Sequence, residues 1–200
     1  MEENKNSKGD FIWGKDNSTQ VSGSVKSINN RIYYYIDVNH QSILDLIEQI
    51  KIITNKNKIL SIENDIEPPL INLHISSYGG SIFACFAGMD TIKYNSVPIN
   101  TIVEGGSASA ATLLSICGYK RFIRKNSYML IHQLSSGLYG KFMEIQDCME
   151  NLEKLMNTIK QVYIDNTKIP ITKLNEILKH DLWFNAEECL EYGLVDEIIN

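Results

Sequence analysis

From Leu70 to His132, apolar β-branched runs alternate with amphipathic segments, and the turns between them carry glycine pairs or strings of small residues. No other feature of the chain narrows the fold as far. A β-α-β-α-β order builds a layered α/β domain with a largely parallel sheet, because each helix carries the chain back to start the next strand in the same direction. Residues Leu70 to Ile75 and Ile99 to Val103 read as strands, and Arg121 to Arg124 and Tyr128 to His132 as two shorter ones. Ser81 to Asn95 reads as a helix behind the pair Gly79-Gly80. Ser109 to Cys117 reads as a second helix, with Gly118 as its C-cap residue.

The flanks follow the same logic. Arg31 to Ile36 is β-branched and aromatic, hence a strand. Ser42-Ile43-Leu44-Asp45 is a capping-box pattern, and Ile43, Leu46, Ile47 and Ile50 then recur at helical spacing through about Ile53. Asn55 to Glu67 is polar and runs into Pro68-Pro69, which predicts a loop. Residues 1–28 are rich in Asn, Ser, Lys and Gly, broken only by Phe11-Ile12-Trp13. They are expected to form a mobile arm ahead of a single domain over 29–200.

Downstream, Phe142, Ile145, Met149, Leu152, Met156, Ile159 and Tyr163 step by alternating threes and fours. That predicts a long helix over Phe142 to Asn166 with a narrow apolar seam. Such a helix either leaves the body to pack on another chain or lies on its own sheet. Ile171 to Lys179 reads as a short helix after Pro170, and Asn185 as the N-cap of another that stops at Gly193. Leu194 to Ile199 reads as a closing strand.

Composition excludes several function classes. With 200 residues, 44% hydrophobic and 22% charged, one ordinary core suffices. The net charge of −5 leaves no electrostatic footprint for nucleic acid. Cys85, Cys117, Cys148 and Cys189 form no CxxC pair, so neither a metal site nor a disulfide scaffold is expected, and reduced thiols fit a cytoplasmic compartment. No apolar run reaches the roughly 18 residues of a membrane span, and MEENKNSKGD lacks the apolar core of a secretion signal.

Three segments carry chemistry. Gly79-Gly80, between a strand and a helix, exposes backbone N–H groups that favour developing negative charge. In Glu104-Gly105-Gly106-Ser107-Ala108-Ser109-Ala110-Ala111, a serine sits on a strand-to-helix turn among residues small enough for a substrate backbone to approach. Such a serine is ordinarily a helix cap. As a nucleophile it needs a base, because a hydroxyl attacks poorly at neutral pH. His132, closing the apolar run Met129-Leu130-Ile131, is placed to be that base. An orienting carboxylate would come from Asp147, Asp181 or Asp196, and spacing alone does not choose among them. Asp181, ahead of Leu182-Trp183-Phe184, is expected to be partly buried.

Together these segments resemble the ClpP family of serine peptidases, the proteolytic chambers of ATP-driven protein degradation. The resemblance runs from about Leu70 to Asn200. It rests on Gly79-Gly80, the segment with Ser109, Met129-Leu-Ile-His132-Gln133, and the tail Ala186-Glu-Glu-Cys-Leu-Glu-Tyr-Gly-Leu-Val-Asp196-Glu-Ile. It implies a crotonase-like spiral of β-α-β units, with Phe142 to Asn166 as a protruding handle helix between two stacked heptameric rings. It implies Ser109 as nucleophile, His132 as general base, Asp181 as its orienting acid, and the N–H groups of Gly80 and Ala110 as the oxyanion hole. It implies a self-compartmentalised endopeptidase of unfolded polypeptides without cofactor or metal. The chain has no GxxxxGK[ST] loop, so ATP would be used by a separate AAA+ unfoldase.

The departures are specific. Tyr78 stands where the family usually has proline before its glycine pair. Asn72 and His74 stand where it often has two tyrosines that line the unfoldase-docking groove, and Lys179-His180 replaces an acidic-Arg pair that couples the rings. These keep open a second function, a structural ring subunit of low activity that co-assembles with a separate peptidase.

Overall fold

The computed structural model describes residues 25–200. The expected arm therefore lies, up to residue 24, outside the described residues. Strands β1 (Lys26–Ile28) and β2 (Arg31–Tyr34) form an antiparallel hairpin whose two-residue loop places Asn29 at φ 54°. β2 then pairs in parallel with β3 (Ile71–Ser77), and β3 with β4 (Ile99–Ala108).

β4 is the pivot of the sheet. Its first half, Thr101–Val103, pairs with β5 (Arg121–Arg124), which pairs with β8 (Glu197–Ile199). Its second half, Gly106–Ala108, pairs instead with β6 (Tyr128–Leu130), which takes β7 (Trp183–Phe184) antiparallel on its other side. The sheet is thus mixed but mostly parallel. Ile71, Leu73 and Ile75 of β3 and Ile99 and Val103 of β4 are fully or nearly fully buried, as central parallel strands require.

Helices α1 (His40–Asn64), α2 (Ile82–Lys93) and α3 (Ala110–Ile116) pack in sequence beside these strands. Gly88 lets α2 approach its neighbours, since a Cβ there would sit 2.9 Å from both Ile43 and Leu114. α1 starts one turn before the expected box. Asn39 is the N-cap, and Ser42 is the N3 residue that answers it. The predicted loop over Asn55 to Glu67 is corrected as well. α1 continues to Asn64 and closes at Asp65 with φ 52°. No glycine or proline interrupts that stretch, and buried Asn57 anchors it by donating Nδ2 to the Pro69 carbonyl at 2.6 Å. Gly118 is not the C-cap the sequence suggested. Cys117 caps α3, and Gly118 is needed because a side chain there would collide with Thr101.

Helix α4 (Phe142–Asn166) has the predicted bounds. Its second half docks through buried Ile159 and Tyr163, the latter sharing a hydroxyl contact with Thr112 of α3. Its first half leaves Phe142, Met143 and Met149 exposed. Helices α5 (Ile171–Ile177) and α6 (Ala186–Glu191) follow, α6 behind the expected Asn185 cap, whose side chain and that of Glu188 cap each other's N–H groups at 2.9 and 2.8 Å. Among the described residues, no helix is long and apolar enough to cross a membrane.

Candidate active site

The turn between β4 and α3 is held by a parallel ladder. Ser107 pairs with Met129 and Ala108 with Leu130, and the Ser109 N–H then donates to the Leu130 carbonyl at 2.9 Å. This forces Ser109 to φ 55°, ψ −128°, a conformation that costs a non-glycine residue about 1–3 kcal/mol. The Ser109 side chain makes no capping hydrogen bond to α3. Its ordinary structural role is therefore unfilled, and the hydroxyl stands at a strained strand-to-helix turn. Ser107, by contrast, is wholly buried within β4.

Gly79 and Gly80 approach this turn closely. A Cβ on Gly79 would lie 2.7 Å from the Ser109 Cβ and 2.9 Å from the Ala110 nitrogen. Gly79 adopts φ 94° and Gly80 φ 142°, both regions that glycine tolerates and other residues do not. Gly80 bridges Val38, whose N–H donates to Gly79 O and whose carbonyl accepts from Ser81 N, each at 2.7 Å. The chain after β2 thereby clamps the glycine pair from the far side.

His132 reaches the site by strand register. β6 and β7 pair Met129 with Phe184 and Leu130 with Trp183. Carried two residues further, that antiparallel register sets His132 opposite Asp181 on one face. His132 Nδ1 lies 3.1 Å from Asp181 Oδ1. The other two candidate carboxylates are elsewhere. Asp147 is exposed on α4, and Asp196 binds Arg121. Asp181 departs from expectation in one respect, since its side chain is 77% exposed rather than partly buried. Gly80, Ser109, Ala110 and His132 line one cleft, with Ile82, Leu113, Leu134 and Ile159 forming its apolar wall. No single sequence pattern marks that wall, which draws on the apolar periodicity of α2, α3 and α4 and on Leu134 in the loop after β6.

The departures noted in the sequence also have places. His74 stacks on Tyr33 with centroids 4.8 Å apart and sets Nδ1 3.0 Å from Glu104, which Arg124 also contacts at 3.0 Å. Asn72 accepts a hydrogen bond from Asn100 at 3.2 Å. Lys179 pairs with Glu176 at 2.8 Å. Cys85, Cys117 and Cys189 are buried thiols, and burial raises Cys117 to about 11 and Cys189 to about 12, so they stay protonated.

An α/β fold with a mixed sheet and several packed helices is consistent with the ClpP/crotonase-like superfamily. The family model described as Clp protease matches residues 25–200. The chain is 35% identical over 133 residues to the ATP-dependent Clp protease proteolytic subunit of Streptococcus thermophilus, covering 64% of this chain and 68% of that protein. The same figures hold for the subunit of that name from Streptococcus salivarius. For the Deinococcus radiodurans subunit, identity is 33% over 132 residues, 65% of each chain. The chain belongs to the Clp protease family.

Proposed function

We propose that the protein is a serine endopeptidase that cleaves unfolded polypeptides through an acyl-enzyme. The observation that carries this reading is Ser109, strained and uncapped, in one cleft with a histidine whose Nδ1 faces a carboxylate. Asp181 fixes the imidazole so that Nε2 is left to take a proton. Nε2 removes the Ser109 proton as Oγ attacks the substrate carbonyl. The tetrahedral oxyanion is met by the N–H groups of Gly80 and Ala110, where loss of one donor would cost about 3–4 kcal/mol of barrier. His132 returns the proton to the leaving amine. Water, activated by the same imidazole, then releases the acid and restores Ser109.

The exposed apolar first half of α4 supports assembly, because Phe142 and Met149 would otherwise stand in water. We read it as the handle through which heptameric rings stack, either of this chain alone or mixed with a related peptidase. A separate unfoldase would feed the chamber. A fluorophosphonate probe should label the wild-type protein at Ser109. Ser109→Ala should lose both labelling and short-peptide hydrolysis while keeping the assembled mass. A wild-type protein that stays unlabelled would instead favour the structural ring subunit.

A further inference from the structure

We propose that a hollow walled by Tyr78, Tyr128 and Trp183 is a subsite for an aromatic or other large apolar side chain of the peptide substrate, two or three residues from the scissile bond. The inference rests on the peptidase reading above.

The hollow has a cause in the strand register. Ile75 pairs with Val103, but two residues later Ser77 pairs with Ser107, so β4 carries two extra residues opposite β3. This bulge contains Gly105 at φ 69°, and Gly106 beside it. Neither glycine has a side chain to fill the space, which measures about 400 Å³. Tyr78 and Trp183 close it edge to face, with ring centroids 6.3 Å apart at 87°. Tyr78 is 56% and Tyr128 47% exposed, so an occupant would remove apolar ring surface from water. The lining is two tyrosines, a tryptophan and two glycines, with no carboxylate, ammonium or guanidinium among them, so the site suits an uncharged occupant.

Its position identifies the occupant. Tyr78 directly precedes Gly79-Gly80, and Trp183 lies two residues beyond Asp181. Tyr128 shares a face of β6 with Leu130, and the same alternation carried onward reaches His132. At about 3.3 Å per residue, the hollow lies roughly 7–13 Å along this face from the His132–Asp181 pair. An extended peptide with its carbonyl at Ser109 places a side chain there two or three residues away.

Quenched fluorogenic peptides that differ only in Phe, Gly or Asp at each position within three of the scissile bond test this, with cleavage mapped by mass spectrometry. The wild-type protein should favour Phe over Gly and Asp about tenfold in kcat/KM at one position two or three residues from the bond. Trp183→Ala removes a wall. Gly106→Val fills the hollow, since a Cβ there lies 3.6 Å from Trp183 and 3.8 Å from Tyr78. Each should bring that ratio close to one. A preference that survives both variants overturns the subsite. So does a variant whose assembled mass changes in light scattering, because the hollow would then hold a neighbouring copy. Labelling and cleavage without any preference overturn the subsite alone, whereas no labelling and no cleavage overturn the peptidase reading and the subsite with it.

Discussion

At Ser109 the backbone and the hydroxyl make opposite demands. The positive φ favours glycine, and the proposed chemistry needs an oxygen. Ser109→Gly relieves the strain and Ser109→Ala does not, so the glycine variant should be about 1 kcal/mol the more stable of the two. Paired denaturant titrations check this, and equal midpoints would show that the turn stores no strain. At Asp181, exposure decides the magnitude. Water around a carboxylate that is 77% exposed screens its hold on the imidazole. Asp181→Asn should therefore lower kcat about 100-fold, well short of the loss in Ser109→Ala. A kcat within twofold of wild type would remove Asp181 from the mechanism.

Among the elements, β5 and β8 depend on one ion pair. Arg121 Nε and backbone N both donate to Asp196 Oδ2, at 3.1 and 2.8 Å. The guanidinium also reaches the carbonyls of Gly193 and Asn166. These hydrogen bonds, led by that of the Arg121 side chain, hold the Asp196 carboxyl below its ordinary value. A depressed carboxyl stabilises the fold above its unfolded pKa of about 3.9, and that contribution is lost as pH falls through the folded value. With Asp196 43% exposed, Asp196→Asn should cost about 1 kcal/mol at pH 7. The gap from wild type should narrow below about pH 4. Urea melts across pH 3–7 check the sign, and a gap that widens in acid would contradict it. At the same scale, two elements are not marked by local residue pattern. The stretch after Asn55 carries a polar helix face, and polarity alone cannot separate a solvated helix from a loop. Two-residue β7 carries no periodicity at all, yet it sets the His132–Asp181 register.

For the whole molecule, the proposed assembly turns on the exposed part of α4. Ile159 and Tyr163 are buried and Met156 packs beside them on the core, whereas Phe142, Ile145 and Met149 of the same seam stay exposed and can meet another copy. Phe142→Glu with Met149→Glu should split the proposed assembly into smaller rings or single subunits while leaving the far-UV circular dichroism unchanged, since neither side chain is buried in the subunit. Native mass spectrometry and circular dichroism on the same samples test both halves. An unchanged mass would place the ring contacts elsewhere.

Local signals sufficed wherever a residue acts on its own neighbours. The α/β order, the bounds of α4, the Asn185 cap and the serine on a strand-to-helix turn all follow from side-chain period, capping and turn chemistry, which operate over a few positions. Spacing left three aspartates open at His132 and only the family resemblance pointed to Asp181, whereas tertiary structure alone decided that Ser109 is strained rather than capping and that β4 bulges beside the turn. Those outcomes depend on pairing registers between strands up to about 55 positions apart, and a register is an energy of contact between segments that neither segment carries by itself.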